Sequence, residues 1–313
     1  MTHEQRVRNL QRLGYSSQQG DFLAMAGMLS GFFMRRQYRA FAGSRGNGPA
    51  TRLARRVLAS GHAWTREFPG RLLLYQLCSR QFYRALGEED SPHRRRKRRM
   101  PYIQRRVFAL DFVLAHMKRQ RRYLYTQDEK IDACLSRGAH DLTLPWRAYQ
   151  FGSAAKEHRR CFADRFPMYV AQDGVLCFSF IHCAEEVAIE SFKTHLMHYE
   201  PLFRSLDRFR LWGVSTDRRV LEKMRVFAGD YLEGAEYDQR VEHYQLEKLF
   251  RQERIAEMGQ KGLDRLRDLR HAYSERTGQW RPAENKPLPG TFHPYLLRHS
   301  YKALATLIPH WWN

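Results

Sequence analysis

The chain has 313 residues, of which 43% are hydrophobic and 13% aromatic, enough apolar material for one large core or two ordinary ones. Lys and Arg number 54 against 33 Asp and Glu, a net charge of +21. No apolar run approaches the roughly 18 residues that a membrane-spanning helix needs, so no membrane partner is expected.

The surplus is lopsided. Residues 1–130 carry 27 basic and 9 acidic side chains, a net of +18, whereas residues 131–313 carry 27 and 24, a net of +3. Such asymmetry marks the first part as the one that meets a polyanion. The opening Met-Thr-His-Glu-Gln-Arg has no apolar signal region. Five scattered cysteines (Cys78, Cys134, Cys161, Cys177, Cys183) without a CxxC pair read as thiols of a reducing compartment. The expected location is cytoplasmic, with the nucleoid as the site of action.

In chain order, residues 4–13 read as a short basic helix. Ser17 then caps a core helix over 18–30, with Phe22, Met25, Ala26 and Leu29 at helical spacing. Gly31 breaks it, and Met34 to Ala42 forms a second helix with Tyr38 and Phe41 inward and Arg35, Arg36 and Arg39 outward. A turn over 43–48 leads to a third helix from Pro49 to Ser60, stopped by Gly61. On this third helix Ala50, Leu53, Ala54, Val57 and Leu58 make one face, and Thr51, Arg52, Arg55 and Arg56 the other. His62–Phe68 and Arg71–Leu77 read as strands joined by the tight turn Pro69-Gly70, and Ser79–Leu86 as a closing helix.

A helix-turn-helix followed by a β-hairpin resembles a winged helix-turn-helix domain over about residues 17–86. The resemblance implies that the third helix enters a major groove. The expected DNA-binding set is Arg45, Asn47, Thr51, Arg52, Arg55 and Arg56 around that helix, with Arg66 and Arg71 at the hairpin tip. Arg94, Arg95, Arg96, Lys97, Arg98 and Arg99 follow as six consecutive cations. They cannot be buried together and suit a backbone-contacting arm.

The spacing predicts a further helix over Pro101–His116, a short strand at Leu124–Thr126 and a helix over Gln127–Ser136. The second half then reads β-turn-β-α-β-α: strands at 166–170, 175–183 and 209–215, helices at 185–204 and 217–227. Residues 240–276 are amphipathic and offer a homodimer contact through C-terminal helices, and the aromatic tail packs on the body.

The whole layout, carried by FPMYVAQDGVLCFSFIHCAEEVAIESFKTHLMHYEPLFRSLDRFRLWGVSTDRR (166–219) behind the winged unit, resembles the replication-relaxation family of plasmids and integrative elements. That resemblance implies an α+β chain: a winged helix-turn-helix domain (1–90), a basic arm with connecting helices (91–140), a degenerate restriction-endonuclease-like α/β domain (141–230), and amphipathic helices with the aromatic tail (231–313). It implies a bacterial setting, in transcriptional regulation or as an accessory factor in mobile-element replication or transfer.

Catalysis is not expected. A nuclease of that fold needs an acid near its first strand, then an acid and a lysine alternating on the next, all facing one metal ion. Asp173 can supply the first, but Leu176–His182 contains neither acid nor lysine. Glu190 and Lys193 fall on a helix as i,i+3 neighbours. Cys177, His182 and Cys183 sit toward opposite ends of one strand, and His195 and His198 read as core or surface histidines rather than ligands. No P-loop, GxSxG or HExxH occurs, and no cofactor or metal is expected. Two rival readings remain: a metal-dependent nuclease or replication initiator using Asp173, Glu190 and Lys193, and an RNA-binding protein.

Overall fold

Polar caps start the first two helices. In α1 (His3–Arg12) and α2 (Ser17–Leu29), Thr2 and Ser16 each accept from the third helical amide while Gln5 and Gln19 reach back. The computed structural model describes residues 1–68, 72–90, 100–116, 122–150, 157–163, 166–182, 185–233, 259–267 and 287–297. The fold is α+β, as expected from the sequence.

The helix α2 is buried almost all round. Phe22 stands edge-on to Phe33 and to Tyr38, with ring centres 5.5 and 5.0 Å apart. Then come β1 (Phe32–Phe33), α3 (Arg35–Ala42), α4 (Gly48–Ala59), β2 (Ala63–Phe68), β3 (Leu72–Leu77) and α5 (Arg80–Ala85). Strand β1 is absent from the sequence reading, because two residues carry no periodicity. It pairs antiparallel with β3, giving a three-stranded sheet of order β1-β3-β2.

The 17-residue helix α6 (Met100–His116) links this unit to the rest. One side faces α2, β1 and α3. On the other, Phe112 and His116 pack against Trp212 and Tyr295, with ring centres 4.9–5.8 Å apart. The apolar core runs continuously from Leu10 to Leu297 through both halves.

The second sheet takes strands from a wide span of chain. It uses β4 (Arg122–Leu124), β7 (Met168–Val170), β8 (Leu176–Ile181), β9 (Phe209–Ser215) and β10 (Gly290–Leu296) in the order β10-β9-β8-β7-β4. The three strands β8, β9 and β10 are parallel, whereas β7 and β4 run antiparallel to their neighbours. All six residues of β8 are buried, as a central strand between two partners requires. A two-stranded hairpin, β5 (Arg147–Gln150) and β6 (Glu157–Arg160), stands apart from this sheet.

Helix α7 (Gln127–Leu135) follows β4, while α8 (Glu185–His198) and α9 (Glu200–Ser205) carry the chain from β8 to β9. The sequence reading has one helix over 185–204, and the structure breaks it at Tyr199, directly before Glu200-Pro201. Helix α10 (Arg218–Leu232) outruns the expected 217–227, with Ala228, Tyr231 and Leu232 buried in its last turns.

The sequence reading gives the tail no strand. It contributes β10, which pairs with β9 along seven residues. Pro294 is tolerated there because β10 has a partner on one side only among the described strands. The sheet therefore draws β4 and β10 from outside the expected 141–230 range. Of the amphipathic stretch 240–276, residues 259–267 are described and helical, and the remainder lies outside the described residues.

Candidate nucleic-acid interface

Helix α4 has two faces. Ala50, Leu53, Ala54 and Val57 are buried beneath it. Arg52 and Arg55 are exposed, and Thr51 is half-buried. Leu58 departs from its expected core position and is 39% exposed, one position beyond the stripe that Ala50, Leu53, Ala54 and Val57 complete.

The helix leaves its C-terminus through Gly61, whose φ of 64° suits glycine. His62, next in line, is a buried brace rather than a contact residue. Its Nδ1 lies 2.6 Å from the Tyr15 hydroxyl. Burial pushes that hydroxyl up to about 12 and makes His62 harder to protonate, so both stay neutral at ordinary pH. The Gly-His-Ala-Trp segment thus fastens the end of α4 to the turn before α2 and opens β2.

The expected binding residues do not all point outward. The Arg56 guanidinium lies 5.9 Å from the Tyr15 ring centre and donates to Gln19 Oε1 at 3.4 Å. It stays exposed but reaches toward the start of α2. Arg66 lies over the Trp64 ring at 4.7 Å, partly desolvated on the hairpin. Arg71 and the cations 94–99 lie outside the described residues. Asn47 precedes α4 without capping it through its side chain; its Oδ1 instead accepts from Arg39 at 3.1 Å.

Arg39 enlarges the set, as does Arg35, which is exposed at the start of α3. The sequence reading gives both only as an outward face. Their signal is present in the composition. Between Asp21 and Glu67 the chain has no acidic residue and eight arginines: Arg35, Arg36, Arg39, Arg45, Arg52, Arg55, Arg56 and Arg66. Arg36 is the one turned fully away, its Nη2 2.8 Å from Asp111 Oδ2 on α6. Among the described residues Arg35, Arg45, Arg52 and Arg55 have no acidic partner. Guanidinium groups exposed without an acidic partner have the donor geometry that suits phosphate.

The second unit has a different character. Asp173, in the turn between β7 and β8, pairs with Arg210 at 2.5 Å. Glu190 and Lys193 pair with each other on α8 at 3.0 Å. Neither pair meets an acid or lysine on β8, where Ser179 donates to Pro167 O. Among the described residues no three His, Cys, Asp or Glu side chains gather at metal-binding distance.

Cys134, Cys161 and Cys177 are buried free thiols and Cys78 is half-buried, whereas Cys183 lies outside the described residues. Burial pushes Cys134 up to about 12, so it is a protonated packing group. His195 is buried with Nδ1 2.5 Å from Ser191 O, and His198 Nε2 is 3.1 Å from Pro145 O. Among the described residues no helix is long and apolar enough to cross a membrane.

Comparison with protein-family models, with characterised proteins and with solved structures finds no match to this chain.

Proposed function

We propose that the chain is a double-stranded DNA-binding protein of winged helix-turn-helix type, with α4 as its reading helix and the β2–β3 hairpin as its wing. The observation that carries the reading is the unpaired arginine face of α3 and α4, backed by a buried apolar face and flanked by a sheet of order β1-β3-β2. Helix α4 is 12 residues long, about 18 Å, enough to lie in a major groove. Arg52 and Arg55 then address base edges and phosphates together. Arg35, Arg39 and Arg45 address phosphates, and Asn47 offers the NH2 group opposite its Arg39-bound oxygen. Thr and Arg, rather than exposed aromatics for stacking, line this face, which favours duplex DNA over single-stranded RNA.

The five-stranded sheet, with its parallel and antiparallel portions, supports a restriction-endonuclease-like core that has lost its acid-lysine strand. In this reading the second unit is a scaffold or a recruiting surface. The biological task is transcriptional regulation, or an accessory step in replication or transfer of a mobile element.

Fluorescence anisotropy on a pool of duplexes across a salt series tests the reading. Arg52→Ala/Arg55→Ala should abolish discrimination among sequences and lower the salt slope by about 1 to 2. Neutralising residues 94–99 should weaken binding to all sequences alike. Wild-type binding by the α4 variant removes α4 from the interface, and tighter binding to single-stranded RNA replaces DNA as the ligand.

A further inference from the structure

Helix α6 grips the arginine-rich unit at three points. Arg106, 3% exposed, donates from Nε to Ser30 O at the end of α2, at 3.1 Å. Gln37 on α3 is 1% exposed, and its amide is shared between the two helices. Its Oε1 accepts from Met34 N at 2.9 Å, while its Nε2 donates to Val107 O at 3.1 Å and to Asp111 Oδ1 at 2.9 Å. The second oxygen of Asp111 takes Arg36 Nη2 at 2.8 Å. A single carboxylate thus receives two successive residues at the start of α3, with its own side chain only 13% exposed.

Directly after Asp111, Phe112 packs on Trp212 of β9 and Tyr295 of β10. Asp111 therefore stands where α6 passes from the arginine unit to the sheet. On the other side of α3, Arg39 holds Asn47 at the head of α4.

Resting on the DNA reading above, we infer that Asp111 is a positioning residue of the interface. It fixes the start of α3 on α6, and through α3 it sets how Asn47 and α4 are presented to the groove. Loss of the carboxylate takes one acceptor from Gln37 and one from Arg36 at the α3–α6 seam, so α3 shifts or loosens before the core does. Phosphate contacts from flexible arginines survive such a shift, whereas base contacts, which need placement, do not.

The test compares wild type, Asp111→Ala and Asp111→Asn in the full chain. The probes are the tightest-binding duplex selected from a random pool and a scrambled duplex of equal length. In Asp111→Ala the ratio of the two affinities is expected to fall on the order of tenfold. The salt slope is expected to stay within about 0.5 of wild type. Asp111→Asn, which keeps one acceptor oxygen, is expected to fall between the two. Amide hydrogen exchange should quicken in α3 and stay unchanged in α10. An Asp111→Ala protein with wild-type discrimination overturns this proposal alone. Parallel loss of discrimination, salt slope and α10 protection marks a general folding defect and overturns it too. A wild-type chain that binds no duplex overturns the DNA reading as well.

Discussion

The α3–α4 surface and the flanks of the second sheet treat positive charge differently. Around the second sheet, several basic side chains sit against an acid near in sequence or in the fold: Lys193 with Glu190, Arg204 with Glu200, Arg210 with Asp173 and Arg225 with Glu222, all within 3.0 Å. On α3 and α4, Arg35, Arg45, Arg52 and Arg55 have no such acid among the described residues, and the one buried carboxylate nearby, Asp111, is taken by Arg36 and Gln37. Paired surface charge is close to neutral for stability. An unpaired cluster costs self-repulsion. The contrast teaches that a count of basic residues is a poor guide to where unpaired basic surface lies, since half of all Lys and Arg lie in the nearly neutral half.

Although their charges differ, the halves share one core, and Phe112 is at the join. Phe112→Ala should cost about 3–5 kcal/mol. Thermal melts followed from probes in either half should shift together. Separate transitions would break the picture of one cooperative body.

The next largest effect is ionic. Duplex affinity should drop by about 10³-fold between 50 and 200 mM salt. Replacing Arg204 and Arg225 by Ala should leave that dependence untouched, which sharpens the contrast between the two sets of arginines. A slope equally sensitive to both would dissolve it.

Packing of the sheet edge comes third. A Cβ at Gly213 would lie 2.5 Å from Phe292 Cζ and 3.2 Å from Met224 Sδ. Gly213→Val should therefore destabilise by about 1–3 kcal/mol in urea unfolding, with duplex discrimination preserved in the folded fraction.

Asp111 supplies a pH signature. Burial, opposed by Arg36 and Gln37, pushes its carboxyl up to about 6. The folded state then holds a proton that the unfolded chain, near 3.9, releases. Its contribution is full below about pH 4 and is lost as pH rises to about 6, a change of about 3 kcal/mol. This component should vanish in Asp111→Asn when stability is measured by urea unfolding at each pH.

The smallest effect is expected for Glu222→Ala, which breaks the exposed Arg225 pair and should leave the urea midpoint unchanged.

Period, caps and charge determined much of this protein from sequence alone. The four-residue spacing of Ala50, Ala54 and Leu53, Val57 defines the buried side of α4, and the apolar run of β8 defines a central strand, because both signals are local. The α+β class follows from the order of such segments. The acid-free stretch from Asp21 to Glu67 marks the basic face, since charge counts need no coordinates. Tertiary structure decided what distance along the chain conceals. Gly290–Leu296, with its internal proline, becomes a strand only because β9 offers a backbone ladder. The pair of phenylalanines at 32 and 33 becomes β1 only against β3. Arg36 looks like its outward neighbours until Asp111, 75 residues away, claims it, and exposed Arg56 leans toward Tyr15. A helical wheel records which way a side chain leaves the backbone, but the end point of a long, flexible arginine depends on what the rest of the fold brings within its reach.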